Sequence, residues 1–393
     1  MKALFSPSFP FGEIFAPPSK SMAHRYLICG ALSEQSRVSG LAMSEDIKAT
    51  ADCLKALGSR VDFENDTALV GGLCPKEEAL LDCRESGSTL RFMLPLALLG
   101  NKEITLTGSP RLMERGAGLY EQMCGEHGLF FENKDGKITV KGPLKPGKYS
   151  IDGSLSSQYF SGMLFALSTL DGDSELKVKG KLQSRPYVNM TIKALADFGV
   201  KIERIPGGFF IPGGQKFLSR YAAVEGDWSN AAFLSALSDK VIVKGLDEHS
   251  LQGDKLYPQL FKNVGSYQID LSDTPDLAPV LFAVAALKDK GDFVGTRRLK
   301  IKESDRAEAM KNELLKFGVN TTIFDDRVIV SGKLKTPSAE LYGHNDHRIV
   351  MALSVLAARV GGVIDGAEAV SKSFPDFFDV IKKLNVKVNL TDA

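Results

Sequence analysis

Six short clusters in this sequence gather groups suited to binding anions and moving protons. They are Lys20, Ser21 and Arg25 in PPSKSMAHR; Ser86, Gly87, Ser88 and Arg91 in SGSTLR; Ser156, Ser157 and Gln158; Asp227, Ser229 and Asn230; Asp276; and Asp346, His347 and Arg348. Small residues and hydroxyls let backbone N–H groups come close to a phosphate, and arginine presents paired donors to phosphate or carboxylate. Three further charged stretches, Arg111–Arg115, Lys300–Arg306 and Lys372–Asp376, are of similar make-up. Any one of these has a plainer explanation, since Ser and Asp are preferred N-caps and short charge runs usually face water. Capping alone does not explain why cations accompany helix ends that are already positive. Together the clusters point to a multiply anionic substrate.

The elements that must hold these groups are legible in the residues just C-terminal to each cluster. The runs YLICGAL, LRFMLPLALL, YFSGMLFAL, AAFLSAL, DLAPVLFAVAAL and RIVMALSVLAA are apolar on nearly every face. Helices of that composition are enclosed by other elements, so six buried helices with polar leading ends are expected. A second pattern alternates with them: an amphipathic helix that stops near Gly and is followed by two strands. Its stops fall at Gly58, Gly128, Gly199, Gly265, Gly318 and Asn385, giving spacings of 70, 71, 66, 53 and 67 residues. The fourth copy, YPQLFKNVG-SYQIDL, is short, and the sixth ends after one strand. A period of this length suits a compact β/α unit used six times rather than a small solenoid repeat. Because the last copy lacks a strand, the segment Lys2 to Phe11 is expected to pair there. The expected organisation is a discontinuous domain of residues 1–15 plus 226–393 and an inserted domain of residues 16–225. Three buried, parallel helices in each domain would bring the charged leading ends to one side, and two facing domains would enclose a cleft.

Composition limits the partners. The chain has 393 residues, 44% apolar and 25% charged, with 49 Lys plus Arg against 48 Asp plus Glu. A net charge of +1 gives no general attraction to nucleic acid or to an anionic membrane, so any basic site must be local. No run of about 20 apolar residues occurs, and the start MKALFSPSFPFGEI lacks a signal core. The five cysteines show no CxxC and no His at zinc-ligand spacing, which reads as reduced thiols, no metal and a cytoplasmic setting.

Taken together, the blocks resemble the 3-phosphoshikimate 1-carboxyvinyltransferase (EPSP synthase) family. PPSKSMAHR is similar to its PGSKSxxxR motif, SGSTLR to its glycine-containing phosphoenolpyruvate segment and PRLMER to its PxxMxxR loop; DGSLSSQYFSG, SRPY, TPDLA, KESDR, NDHRIVMA and SKSFPDFF resemble the remaining blocks in order. The resemblance covers about 370 residues. It implies a two-domain inside-out α/β barrel of six βαβαββ-type units, three per domain, around buried parallel helices. It implies transfer of the enolpyruvyl group of phosphoenolpyruvate to the 5-hydroxyl of shikimate 3-phosphate, through a tetrahedral intermediate, without cofactor and by a monomer. Lys20, Ser21, Arg25, Ser156, Ser157, Gln158, Ser184, Tyr187, Asp276 and Lys302 would then hold shikimate 3-phosphate. Lys20, Gly87, Arg91, Arg115, Gln158, Arg306, Arg348 and Lys372 would hold phosphoenolpyruvate. Asp276 would deprotonate the hydroxyl, Glu303 with Lys20 would handle the methylene proton, and His347 would carry a proton or orient a neighbour.

Three positions depart from the family pattern: Glu85 and Arg298 stand where many members have Asn, and Gly116 where Pro is common. Glu85 would oppose an anionic ligand unless an arginine pairs with it. The related UDP-N-acetylglucosamine carboxyvinyltransferase family has a Lys-Asn pair near its start and a reactive loop cysteine. Here the pair is Lys20-Ser21, and Cys124 falls in the apolar stripe of a helix. A repeat-built scaffold or nucleic-acid clamp would need a broadly basic surface, which this chain lacks.

Overall fold

The six apolar runs form helices, and a polar residue closes the first turn of five of them. A computed structural model describes residues 1–75 and 77–392; Ala393, at the end of the expected discontinuous domain, lies outside the described residues. The inner helices are Lys20–Leu32, Gly87–Ala97, Ser157–Leu167, Trp228–Leu237, Ala278–Leu287 and His347–Val360. Ser19, Ser86, Ser156, Asp227 and Asp346 cap five of them by accepting a backbone N–H into the side chain. The fifth is entered through a 3-10 turn, Pro275–Leu277. Nearly every side chain along these helices is buried, each large apolar one contributing about 1.5–3 kcal/mol of transfer free energy.

The chain divides into two compact units, Met1–Pro17 with Gly226–Ala393 and Pro18–Glu225. Each has its own hydrophobic core. In the Pro18–Glu225 unit the helices Gly87–Ala97 and Ser157–Leu167 run parallel, because Ser88 meets Gln158 and, one turn on, the Arg91 carbonyl lies against Gly162. A Cβ at Gly162 would come within 2.3 Å of that oxygen, so the glycine permits the approach. The same carbonyl loses its helical partner to Pro95, four residues later, and accepts instead from the Tyr120 hydroxyl at 2.9 Å.

Among the described residues six sheets stand around the helices. In a full unit, strand, inner helix, parallel strand, outer helix and antiparallel hairpin follow in order, as in Lys148–Asp152, Ser157–Leu167, Ser174–Lys179, Arg185–Asp197, Glu203–Ile205 and Gly208–Ile211. This is the inside-out α/β arrangement: helices within, sheets outward. The six stops at Gly58, Gly128, Gly199, Gly265, Gly318 and Asn385 all have positive φ, the left-handed turn that ends an outer helix and starts a strand.

Sheets are completed across long stretches of chain. Lys2–Ser6 pairs antiparallel with both Gly362–Asp365 and Lys387–Thr391, in the place a hairpin strand takes elsewhere. Tyr221–Ala223 returns to lie parallel to Ser36–Ser39. The fourth unit differs from the sequence expectation. Gln268–Asp270, within SYQIDL, is not its own strand but the first strand of the next sheet, parallel to Lys290–Val294. Among the described residues the fourth sheet has two strands, Gly12–Phe15 and Val241–Lys244, and no hairpin, which explains the short spacing of 53 residues.

Candidate active site

The leading ends of the inner helices carry two networks, one in each unit. In the Pro18–Glu225 unit Arg25 is 2% exposed, and its guanidinium is held on three sides. Nε donates to Thr191 Oγ1 at 2.9 Å, Nη1 to the Ser21 carbonyl at 2.6 Å and Nη2 to the Tyr187 carbonyl at 2.9 Å, with the Phe92 ring 5.4 Å away. Burial lowers its pKa to about 10. His24 beside it is buried, and burial reinforced by Lys20 and Arg25 keeps it neutral; it pairs with Thr50 at 2.7 Å. Ser184, buried with φ 52, sets the start of the helix that carries Tyr187 and Thr191.

One helical turn from Ser161, which accepts from Thr191, stands Gln158. Its Oε1 accepts from Arg91 Nη1 at 2.9 Å, and its Nε2 donates to Ser88 Oγ at 3.0 Å. Arg91 lies over the Tyr159 ring and donates through Nη2 to the Gly116 carbonyl at 3.2 Å. Gly87 is the pivot here: a Cβ built on it would sit 2.9 Å from both Arg91 Nη1 and Arg115 Nη2. Two guanidiniums therefore close on a helix N-terminus at a residue with no side chain, a geometry that suits an anion. Gly116 has φ 61, which proline cannot adopt, and its carbonyl is the one that meets Arg91. Lys20 pairs with Asp46 at 2.7 Å. Ser156 caps its helix and Ser157 is buried in the first turn. Cys124 is buried in the core, where burial pushes its thiol up to about 12, so it offers no nucleophile.

In the other unit six of the expected residues form one continuous network. Asp276 Oδ1 meets Arg306 Nη1 at 2.8 Å and Lys302 Nζ at 3.2 Å, while Oδ2 meets Arg348 Nη2 at 3.2 Å. Arg306 is 1% exposed and also binds Glu303 Oε2 at 2.7 Å and Asp346 Oδ2 at 2.9 Å. Burial alone would raise the proton affinity of Asp276, but Arg348, Lys302 and Arg306 outweigh it and hold the carboxyl well below its usual range. Burial lowers the pKa of Lys302. The Arg306 guanidinium stays charged, since Asp346, Glu303 and Asp276 together overcome its burial. Asp346 ties the network to the helix it caps: Arg348 N donates to its Oδ1 at 3.0 Å and Ser304 to its Oδ2 at 3.0 Å. His347 is buried with Nδ1 3.9 Å from Asp346, and Lys372 donates to the Asn345 carbonyl. Arg298 is buried and reaches the Ser272 carbonyl.

Sequence reasoning assigned no role to Asp46, Thr191, Tyr159 or Asp254, and gave Asp346 only a cap. Asp46 lies in the first acidic turn of the helix Glu45–Ala56, a visible signal; the other pairings join residues far apart in the chain. Among the described residues no group of three or more His, Cys, Asp or Glu could hold a metal ion, and no helix is long and apolar enough to cross a membrane.

A fold of paired inside-out α/β units is shared with solved enolpyruvyl-transferring enzymes. The chain is similar over its full length to an EPSP synthase from Acinetobacter baumannii, with a TM-score of 0.79 and 22% identity, covering 100% of both chains. The enolpyruvyl transferase NikO from Streptomyces tendae follows at 0.77 and 16%, covering 100% of this chain and 99% of that one. Closer in sequence are the 3-phosphoshikimate 1-carboxyvinyltransferases of Clostridium acetobutylicum, 38% identical over 410 aligned residues, and Clostridium kluyveri, 36% over 409, each with 96% of both chains covered. The family description EPSP synthase (3-phosphoshikimate 1-carboxyvinyltransferase) matches residues 11–269 and 258–381, and the chain belongs to that family.

Proposed function

We propose that this chain transfers the enolpyruvyl group of phosphoenolpyruvate to the 5-hydroxyl of shikimate 3-phosphate and releases phosphate, in the shikimate route to aromatic amino acids. The carrying observation is Asp276, an ionised carboxylate enclosed by Arg306, Lys302 and Arg348 and linked through Arg306 to a second carboxylate, Glu303. An unactivated hydroxyl needs a base, an enol ether needs a proton donor, and a leaving phosphate needs cations.

In this reading the hydroxyl oxygen attacks C2 of phosphoenolpyruvate while its proton passes to Asp276. The C2–C3 double bond takes a proton at the methylene carbon from Glu303 acting with Lys20, giving a tetrahedral intermediate. Loss of a proton from that carbon to the same groups re-forms the double bond as the C2–O bond to phosphate breaks, and the departing phosphate takes up the proton that Asp276 received from the hydroxyl. The cations hold Asp276 ionised but weakly basic. When anionic substrates draw Lys302 and Arg348 toward themselves, that hold relaxes and proton affinity rises. Arg306, shared by Asp276, Glu303 and Asp346, fixes the two carboxylates and adds charge on the phosphoenolpyruvate side with Arg348 and Lys372.

Arg25, Ser21, Ser156, Ser157, Gln158, Ser184, Tyr187 and Lys302 are assigned to shikimate 3-phosphate, with Lys20 and Asp276 at its reacting hydroxyl. Gly87, Arg91, Arg115, Gln158 and Lys20 are assigned to phosphoenolpyruvate, and His347 to proton transfer or to orienting Asp346. We further read the protein as a cytoplasmic monomer that needs no cofactor, made of domains 1–15 plus 226–393 and 16–225. Asp276→Ala tests the reading: turnover should fall by about three orders of magnitude while shikimate 3-phosphate still binds. A variant near the wild-type rate would remove Asp276 as the base.

A further inference from the structure

One buried carboxyl beside the Asp276 network has no part in the chemistry above. Asp254 lies in the 3-10 turn Gly253–Leu256 and is 2% exposed. Ser229 donates to its Oδ2, and among the described residues no donor reaches Oδ1, which is also buried. The turn is fixed by its neighbour Gln252, whose Oε1 accepts from Trp228 N at 3.0 Å and whose Nε2 donates to the Gly226 carbonyl at 2.8 Å. The turn therefore packs on the start of the helix Trp228–Leu237, and the turn that bears Asp276 packs on the same helix.

The charged groups bearing on Asp254 come from each neighbouring element: Asp276 from its turn, Arg348 from the helix His347–Val360, and Asp227 from the cap of Trp228–Leu237. Lys255, on its own turn, reaches instead to the Glu248 carbonyl, and the Tyr257 hydroxyl pairs with Ser235. Burial first, then Asp276, raises the Asp254 pKa to about 7, against the opposing pull of Arg348 and Ser229. An asparagine would meet Ser229 equally well. What the carboxyl adds is a charge that appears near neutrality, beside a cation that Asp276 also uses.

We propose that Asp254 is a positioning residue for the reaction read above, tuning through its own charge how strongly Asp276 takes the proton of the acceptor hydroxyl. When Asp254 is ionised it offsets part of the Arg348 field, and Asp276 becomes the stronger base.

The test is kcat against pH, from about pH 5.5 to 9, by phosphate release from phosphoenolpyruvate and shikimate 3-phosphate, for wild type, Asp254→Asn and Ser229→Ala. Wild type should rise through a limb near pH 7. Asp254→Asn should lose that limb and stay about tenfold below wild type at high pH. Ser229→Ala, which removes a donor to the carboxylate, should move the limb upward. A uniform drop in Asp254→Asn with the limb in place would mean a structural role only and overturn the inference. Carbon-13 titration of aspartate carboxyls in the wild-type protein covers the case in which the Asn variant fails to fold. A buried carboxyl titrating near pH 7 and moved upward by Ser229→Ala supports the inference; none titrating between about pH 6 and 8 overturns it. Absence of any turnover by wild type at every pH would instead overturn the functional reading and this inference with it.

Discussion

Arg25 shows how one residue can be placed by its surroundings before any ligand arrives. Its guanidinium is fixed by Thr191, Ser21 and Tyr187, so little side-chain entropy remains to be lost on binding. A charge-assisted contact to phosphate is commonly worth about 1.5–3 kcal/mol. Arg25→Ala should therefore raise KM for shikimate 3-phosphate by about tenfold or more, while KM for phosphoenolpyruvate stays within about twofold. Initial rates with each substrate varied in turn decide it, and equal effects on both would contradict the assignment. At this scale residue types were readable from sequence, because Ser, Asp and Arg at a helix start carry their own physical reason. Their partners were not: Lys20 with Asp46, Arg25 with Thr191 and Asp254 with Ser229 meet only after the helices pack.

Among the elements, the start of the helix Gly87–Ala97 offers the sharpest test. Alanine is a better helix residue than glycine, so Gly87→Ala should leave stability unchanged or slightly higher. Its methyl group would meet Arg91 Nη1 and Arg115 Nη2 at 2.9 Å and push both guanidiniums from their present positions. KM for phosphoenolpyruvate should rise about tenfold or more, with thermal stability and shikimate 3-phosphate binding retained. An unchanged KM would show that the guanidinium pair does not hold that substrate. Elements themselves were largely legible, since the inner runs are apolar throughout and the outer helices end at a left-handed residue. Strand membership was less so. Gln268–Asp270 pairs forward into the next sheet because strand pairing is non-local, and the stretch SYQIDL carries no mark of which neighbour it joins.

For the whole molecule, the repeat is what made the architecture readable. Outside the two-stranded fourth sheet each sheet has a central hairpin strand, and the shortage at the C-terminus is met by Lys2–Ser6, more than 350 residues away in sequence. The carboxylates Asp276, Glu303, Asp346 and Asp254 stand in one unit, while guanidiniums stand in both, Arg306 and Arg348 in that unit and Arg25, Arg91 and Arg115 in the other. The most direct measurement is phosphate release with phosphoenolpyruvate and either shikimate 3-phosphate or UDP-N-acetylglucosamine as acceptor, with the organic product identified by NMR. One phosphate released per enolpyruvyl ether formed on shikimate 3-phosphate, and none with the nucleotide sugar, is the result expected. Release only with the nucleotide sugar, or with neither acceptor, would contradict the account.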